Sequence, residues 1–261
     1  TDHEDGWIKS THINVPHAWF SAFGGGINSH TRYTYLHEIG HALGLGHSGH
    51  YNVSAEYGID NHYENDSWQA SIMSYFDQQE NTFINATLAP PSTPMIADIL
   101  AIQSLYGSEP EYEGDTVWGA NSNLETGLKG FFFLLFDNSH KQPPIAFTIH
   151  DTGGQDTLDL SNETVQQKID LRPMAISDVG GGIGNMVISH STVIETAIGG
   201  KKGDRIIGND ADNLLDGGKG NDKLFGHDGD DTLIGRGGKD QLFGDDGHDK
   251  LKAGVKHDQR E

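Results

Sequence analysis

Residues Tyr35–His47 read Y-L-H-E-I-G-H-A-L-G-L-G-H. His37 and His41 stand four apart, which on a helix puts them one turn apart on the same face. Two imidazoles so placed can bind one zinc ion at about 2.0–2.1 Å each. Glu38 lies beside a ligand, where its carboxylate can reach a water at the metal without ligating the metal itself. Gly44 lets the chain leave the helix with positive φ, and the turn brings His47 back as a third ligand. Three protein ligands leave one position open, which marks a catalytic rather than a structural zinc site. A histidine-rich amphipathic helix is the bland alternative in a chain with 15 histidines. It does not account for the full H-E-x-x-H-x-x-G-x-x-H spacing.

The 261 residues suffice for one large or two ordinary domains. Acids outnumber bases 38 to 17, a formal net charge of −21. Residues 1–108 hold 11 acids and 2 bases, residues 109–198 hold 13 and 4, and residues 199–261 hold 14 and 11. Such a surface argues against nucleic acid, which needs a basic partner, and suits divalent cations. The absence of cysteine removes disulfides and thiol chemistry, so bound metal is the available staple for a secreted chain. No apolar run is long enough to span a membrane as a helix. The first residues, T-D-H-E-D-G-W, lack the basic and apolar regions of a signal peptide.

In chain order, residues 6–15 have strand character, and Gly24-Gly25-Gly26 reads as a loop. Ser29 or Thr31 is placed to cap the histidine helix. Ser48 to Asp66 reads as a long polar loop; its His50, Glu56, Asp60, His62, Glu64 and Asp66 are read as solvated rather than metal-bound. Ser71-Ile72-Met73-Ser74-Tyr75 reads as a tight turn, with Met73 as the floor beneath the metal and the Tyr75 phenol directed at it. A phenol there can ligate the metal or hydrogen-bond to a developing oxyanion. Residues 94–106 are apolar at helical spacing, start after proline and stop at Gly107, which predicts a helix closing this part. The acidic segment 108–114 predicts a domain boundary. Residues 130–137 and 145–150 read as strands. Asp151 to Asp156 (D-T-G-G-Q-D) fits a tight turn or, with its carboxylates and carbonyls, a calcium loop.

From Gly199 a nine-residue period holds its phase for six repeats. Glycine recurs from Gly199 to Gly244, Asp or Asn at Asp204, Asn213, Asp222, Asp231, Asp240 and Asp249, and an aliphatic from Ile206 to Leu251. This G-G-x-G-x-D-x-U-x pattern marks a calcium-binding parallel β-helix. Two repeats make one coil, which predicts Asp204 above Asp222 and Asp222 above Asp240, with Asn213, Asp231 and Asp249 on the opposite side. Turn carbonyls at Gly200, Gly218 and Gly220 are expected to join these side chains around calcium. A flexible Gly/Asp linker has no reason to keep an aliphatic period.

His37, Glu38, His41, Gly44 and His47 with Met73 resemble the metzincin zinc endopeptidases. Tyr75, the run P-M-I-A-D-I-L-A-I-Q-S-L-Y-G and the repeats resemble the serralysin family, secreted bacterial proteases with a calcium-binding repeat domain. The resemblance implies an α+β chain: the C-terminal part of a metzincin catalytic domain over 1–108, then an all-β parallel β-helix (β-roll) domain. The latter divides into a strand-rich connecting part over 109–198, the repeat roll over 199–254 and a degenerate tail over 255–261. It also implies one catalytic zinc held by His37, His41, His47 and Tyr75, with Glu38 as general base and Tyr75 stabilising the tetrahedral intermediate. Several structural calcium ions are implied, with Gly114, Thr116, Asp151, Gly153, Gly154, Asp156 and Glu195 as ligands. The implied partners are protein or peptide substrates, a type I secretion system and a proteinaceous inhibitor, in an extracellular setting. The sequence departs from the family at Ser48, where many members have proline, at Val193, where they have threonine, and at Lys202, a usual glycine position.

Only 36 residues precede His37, far fewer than the family places there. A fragment lacking the substrate-binding edge strand is therefore the expectation. A second function class stands beside the protease: a calcium-binding, adhesin-like structural module whose protease half is incomplete and inactive.

Overall fold

The computed structural model describes residues 2–4, 7–10, 13, 21, 29–124 and 144–254. The glycine loop 24–26, the apolar run 130–137 and the tail 255–261 lie outside them. The chain divides into two compact units: residues 1–109 with 143–148, and residues 110–142 with 149–261.

In the first unit, β1 (Asp2–Glu4) and β2 (Trp7–Ser10) form an antiparallel pair. Helix α1 spans His30–Ala42. Ser29 is its extended N-cap and its Oγ accepts the Arg32 N–H at 3.2 Å, filling one orphan donor of the first turn. The helix ends as expected at Gly44, with φ +91°. Residues 45–94 carry no further helix or strand and fold through turns.

Helix α2 (Ile96–Tyr106) follows Pro94 and stops at Gly107, φ +89°. Its apolar stripe is only half-buried, with Leu100 and Leu105 exposed; the fully buried position is the carboxylate Asp98. The core joins Leu45, Ile72, Met73, Ala89, Met95 and Ala146, with Leu36, Ala101 and Ile102 packed on it. The Met73 turn is therefore part of the core rather than a surface loop.

Strand β4 (Phe147–Ile149) forms within the predicted stretch 145–150. The second unit is built of short strands that alternate between two parallel sheets. The first sheet has the order β14 (Gln241–Asp246), β12 (Lys223–Asp228), β10 (Arg205–Ile207), β6 (Lys168–Asp170). The second has the order β15 (Lys250–Lys252), β13 (Thr232–Ile234), β11 (Leu214–Asp216), β9 (Thr196–Ile198), β5 (Thr157–Asp159), β3 (Val117–Gly119). An antiparallel pair, β7 (Ile176–Ser177) with β8 (Met186–Ile188), is appended.

Within the repeats the register is 18 residues, as in Arg205 with Lys223 and Leu214 with Thr232, so two repeats complete one coil. The aliphatics Ile206, Leu215, Leu224 and Leu233 point between the sheets and are fully buried. The sheets do not begin at Gly199: Leu158, Ile169 and Ala197 extend the same interior column below the repeats.

Burial falls off at the last coil. Leu224 is 0% exposed and Leu251 is 49% exposed. Leu224→Ala is expected to cost about 2–5 kcal/mol of stability in urea unfolding, and Leu251→Ala less than about 1 kcal/mol.

Candidate metal centre and carboxylate ladders

Helix α1 presents His37 and His41 on one face, and the turn through Gly44 returns His47 toward them. A nitrogen from each of the three lies within 4.8 Å of the others. Each Nδ1 sits on a backbone carbonyl: His37 on Ile72 O at 2.7 Å, His41 on Leu45 O at 2.9 Å and His47 on Tyr51 O at 2.8 Å. A carbonyl only accepts, so each Nδ1 carries the hydrogen and each Nε2 presents a bare lone pair. The Nε2 atoms of His41 and His47 face one another at 3.0 Å. Two lone pairs at that distance repel unless a cation lies between them. A tetrahedral ion with bonds of about 2.0–2.1 Å sets its nitrogens about 3.3 Å apart, so these donors fit zinc. Burial and the neighbouring imidazoles push the His37 pKa down, which keeps it in the neutral, ligating form.

Two residues that the sequence reading passed over hold this group. Gly40 lies between His37 and His41, and a Cβ there would run into Met73 Sδ. The glycine thus lets α1 rest directly on the Met73 turn. Asp98, buried on α2, accepts from Ser71 Oγ at 2.6 Å and from the Ile72 and Met95 backbone N–H groups at 2.8 Å each. It ties the turn to the helix N-terminus, and Ile72 in turn orients His37. Burial raises the Asp98 pKa, and these donors counter it. Its position three residues into a helix with no capping side chain ahead of it was the available signal.

Glu38 is exposed on α1 beside the histidines. The Tyr75 ring lies 4.5 Å from the His47 ring and 6.0 Å from that of His37. Its hydroxyl donates to the Asn52 carbonyl at 3.2 Å. Of the acids in the 48–66 loop, Asp66 is buried; its pKa is raised by burial, and it accepts the Tyr51 hydroxyl.

The second unit assembles the predicted calcium residues into ladders. Asp204 N donates to Asp222 Oδ1 at 2.8 Å and Asp222 N to Asp240 Oδ1 at 3.0 Å. On the other side Asn213 N donates to Asp231 Oδ1 at 2.7 Å and Asp231 N to Asp249 Oδ1 at 3.1 Å. Gly200 N donates to Asp204 Oδ2. Gly218 and Gly220 adopt φ +79° and +134°, and each packs on the backbone of the coil below, at Gly200 and Lys202. Nearer the chain start, Thr116 N donates to Asp156 Oδ1 and Asp156 N to Glu195 Oε2, at 2.8 and 2.7 Å. Thr116 Oγ1 bonds Gly114 O, and Gly153 N bonds Asp151 Oδ1. Gly154, φ +129°, lies against Gly114.

The second oxygens of Asp156, Asp222, Asp231 and Asp240 are buried with no hydrogen-bond partner. Burial first, and neighbouring carboxylates second, push Asp156 and Asp222 to about 7 and Asp231 to about 6. Orphaned, mutually repelling oxygens beside turn carbonyls are the donor set a calcium ion takes.

Residues 110–254 match the family Peptidase M10 serralysin C terminal. The chain belongs to the M10 serralysin family. Residues 20–122, which include His37, His41 and His47, also match Peptidase M66. Serralysin of Photorhabdus luminescens is 42% identical over 194 residues, covering 72% of this chain and 38% of its own length. Metallopeptidase AprA of Pseudomonas marginalis is 42% identical over 195 residues, 72% of this chain and 39% of its own. Serralysin of Proteus mirabilis is 41% identical over 207 residues, 76% and 40%. The chain thus spans about two fifths of these relatives.

Gly40→Ala is expected to lift α1 from Met73. About 1–3 kcal/mol of stability should be lost in chemical unfolding, as for an overpacked core.

Proposed function

We propose that the protein is a secreted zinc-dependent endopeptidase whose second unit is a calcium-stapled roll serving folding and secretion. The observation that carries the first part is the convergence of three bare Nε2 donors, each fixed through its Nδ1, with exposed Glu38 on the same helix. His37, His41 and His47 would hold the ion. Zinc bound there supplies Lewis-acid polarisation of a carbonyl and lowers the pKa of water toward about 7. Glu38 takes the water proton as general base and delivers it to the leaving amine. Tyr75, whose hydroxyl is bonded to the Asn52 carbonyl, would ligate the ion or donate to the oxyanion of the reacting carbonyl. Met73 supports the histidines from below. Substrates are proteins or peptides, as expected for a metalloprotease family.

For the second unit, the orphaned carboxylate oxygens support calcium at Gly114, Thr116, Asp151, Gly153, Gly154, Asp156 and Glu195, and along both ladders. The alternative reading is a calcium-binding structural module with an inert protease part.

Casein hydrolysis by the purified chain with zinc and calcium, abolished by a zinc chelator, separates the two readings. Glu38→Ala should bind zinc normally and lose about 100-fold or more of the hydrolysis rate. Near-normal turnover in that variant refutes the role.

The raised carboxylates set the pH dependence. Their folded pKa values lie above the 3.8 of a free aspartate, so the ion-free fold binds protons more tightly than the unfolded chain. Ion-free stability therefore falls as pH rises from about 4 to about 7, where the charged forms accumulate. Calcium cancels that loss. The rise in melting temperature on adding millimolar calcium should be larger at pH 7.5 than at pH 5, read by circular dichroism.

A further inference from the structure

Tyr51 lies in the loop after the third histidine, and three separate groups meet on it. Its backbone carbonyl accepts from His47 Nδ1 at 2.8 Å. Its hydroxyl donates to the Asp66 carboxylate, 3.1 and 3.2 Å from the two oxygens, and accepts the Tyr75 backbone N–H at 3.4 Å. Its ring stacks on His47 at 5.7 Å and 24° and lies 4.8 Å from the Tyr75 ring. The next residue, Asn52, receives the Tyr75 hydroxyl. Both ends of Tyr75 and the far side of His47 are thus held by two consecutive residues.

This arrangement is anchored on both sides. Tyr51 is 5% exposed and Asp66 is 3% exposed. A Cβ at Gly49 would meet the Tyr51 ring at 2.5 Å and the Asp60 carbonyl at 2.9 Å, so the glycine is what lets Tyr51 fold inward. Asn81 Nδ2 donates to the Asp66 carbonyl at 3.0 Å, fixing the backbone that carries the carboxylate. A tyrosine buried only as packing would need one partner for its hydroxyl. This one has a carboxylate on one side and the backbone of the metal-facing tyrosine on the other.

We propose that Tyr51 and Asp66 are a positioning pair that sets His47 and Tyr75 against one another, so that metal affinity and ligand geometry depend on the Tyr51 hydroxyl. The proposal rests on the zinc reading above and adds two residues that neither ligate nor touch substrate. Partners that orient a metal ligand are typically worth 10–100-fold in metal affinity. Tyr51→Phe keeps the ring stack and removes both hydroxyl bonds. Asp66→Asn keeps an acceptor and removes the charge.

The test uses the full chain in calcium, with cobalt(II) and zinc(II) affinities from competition with a chromophoric chelator, and the visible spectrum of the cobalt form. Tyr51→Phe is expected to lose about 10-fold or more in affinity and to alter the spectrum, with Asp66→Asn intermediate. Tyr57→Phe, which loses only an exposed bond to the Glu64 carbonyl in the same loop, should change neither. If Tyr51→Phe lowers the melting temperature yet leaves affinity and spectrum as in the wild type, the pair is structural and the proposal is overturned. If Tyr51→Phe does not fold, Asp66→Asn decides by the same two readouts. A wild-type chain that takes up neither metal overturns the zinc reading itself, and the positioning role with it.

Discussion

The constraint on which the first unit depends is the hydrogen bond from each histidine Nδ1 to a backbone carbonyl. Those three bonds settle the tautomers, aim the rings and leave three electron pairs crowded into one small space. The carbonyls come from three different places: the Met73 turn, the chain just past Gly44 and the loop at Tyr51. Two of the three are held in turn, the first by Asp98 and the third by Asp66. The unusual features of the surrounding chain serve that arrangement. A glycine inside the helix, a carboxylate buried in α2 and a methionine in the core make sense as supports for ligands that repel one another.

The second unit applies the same logic with oxygen in place of nitrogen. Parallel coils two repeats long stack like upon like, so every turn carboxylate meets its own kind 18 residues away. The aliphatic column between the sheets is one side chain wide per strand, too thin to offset much charge repulsion on its own. In Asp156, Asp222, Asp231 and Asp240 a backbone N–H satisfies one carboxylate oxygen and the other is buried and bare. Both units therefore gather electron-rich atoms that want a cation, nitrogen donors suited to zinc in one and oxygen donors suited to calcium in the other.

Much of this was legible in the chain because it is periodic or closely spaced. The i, i+4 histidines, the turn at Gly44, the Ser29 cap and the nine-residue phase are local patterns, and local patterns survive without knowledge of the fold. The supports were not legible because their partners are distant in sequence. Asp98 meets Ser71 across 27 residues and Tyr51 meets Asp66 across 15, and nothing in either neighbourhood names the other. Asp66 in particular sits in a polar loop and reads as solvated; only burial distinguishes it from Asp60 and Glu64. The apolar period of α2 announces the helix but not its fully buried side chain, the carboxylate Asp98. The Tyr75 hydroxyl, bonded to Asn52, depends on a rotamer that spacing cannot report.

Convergence of three imidazoles on a single ion is open to X-ray absorption at the zinc edge of the zinc-loaded chain. A low-coordinate site with imidazole scattering from three histidines at about 2.0–2.1 Å is expected. A six-coordinate, all-oxygen shell, or protein that retains no zinc, would contradict it.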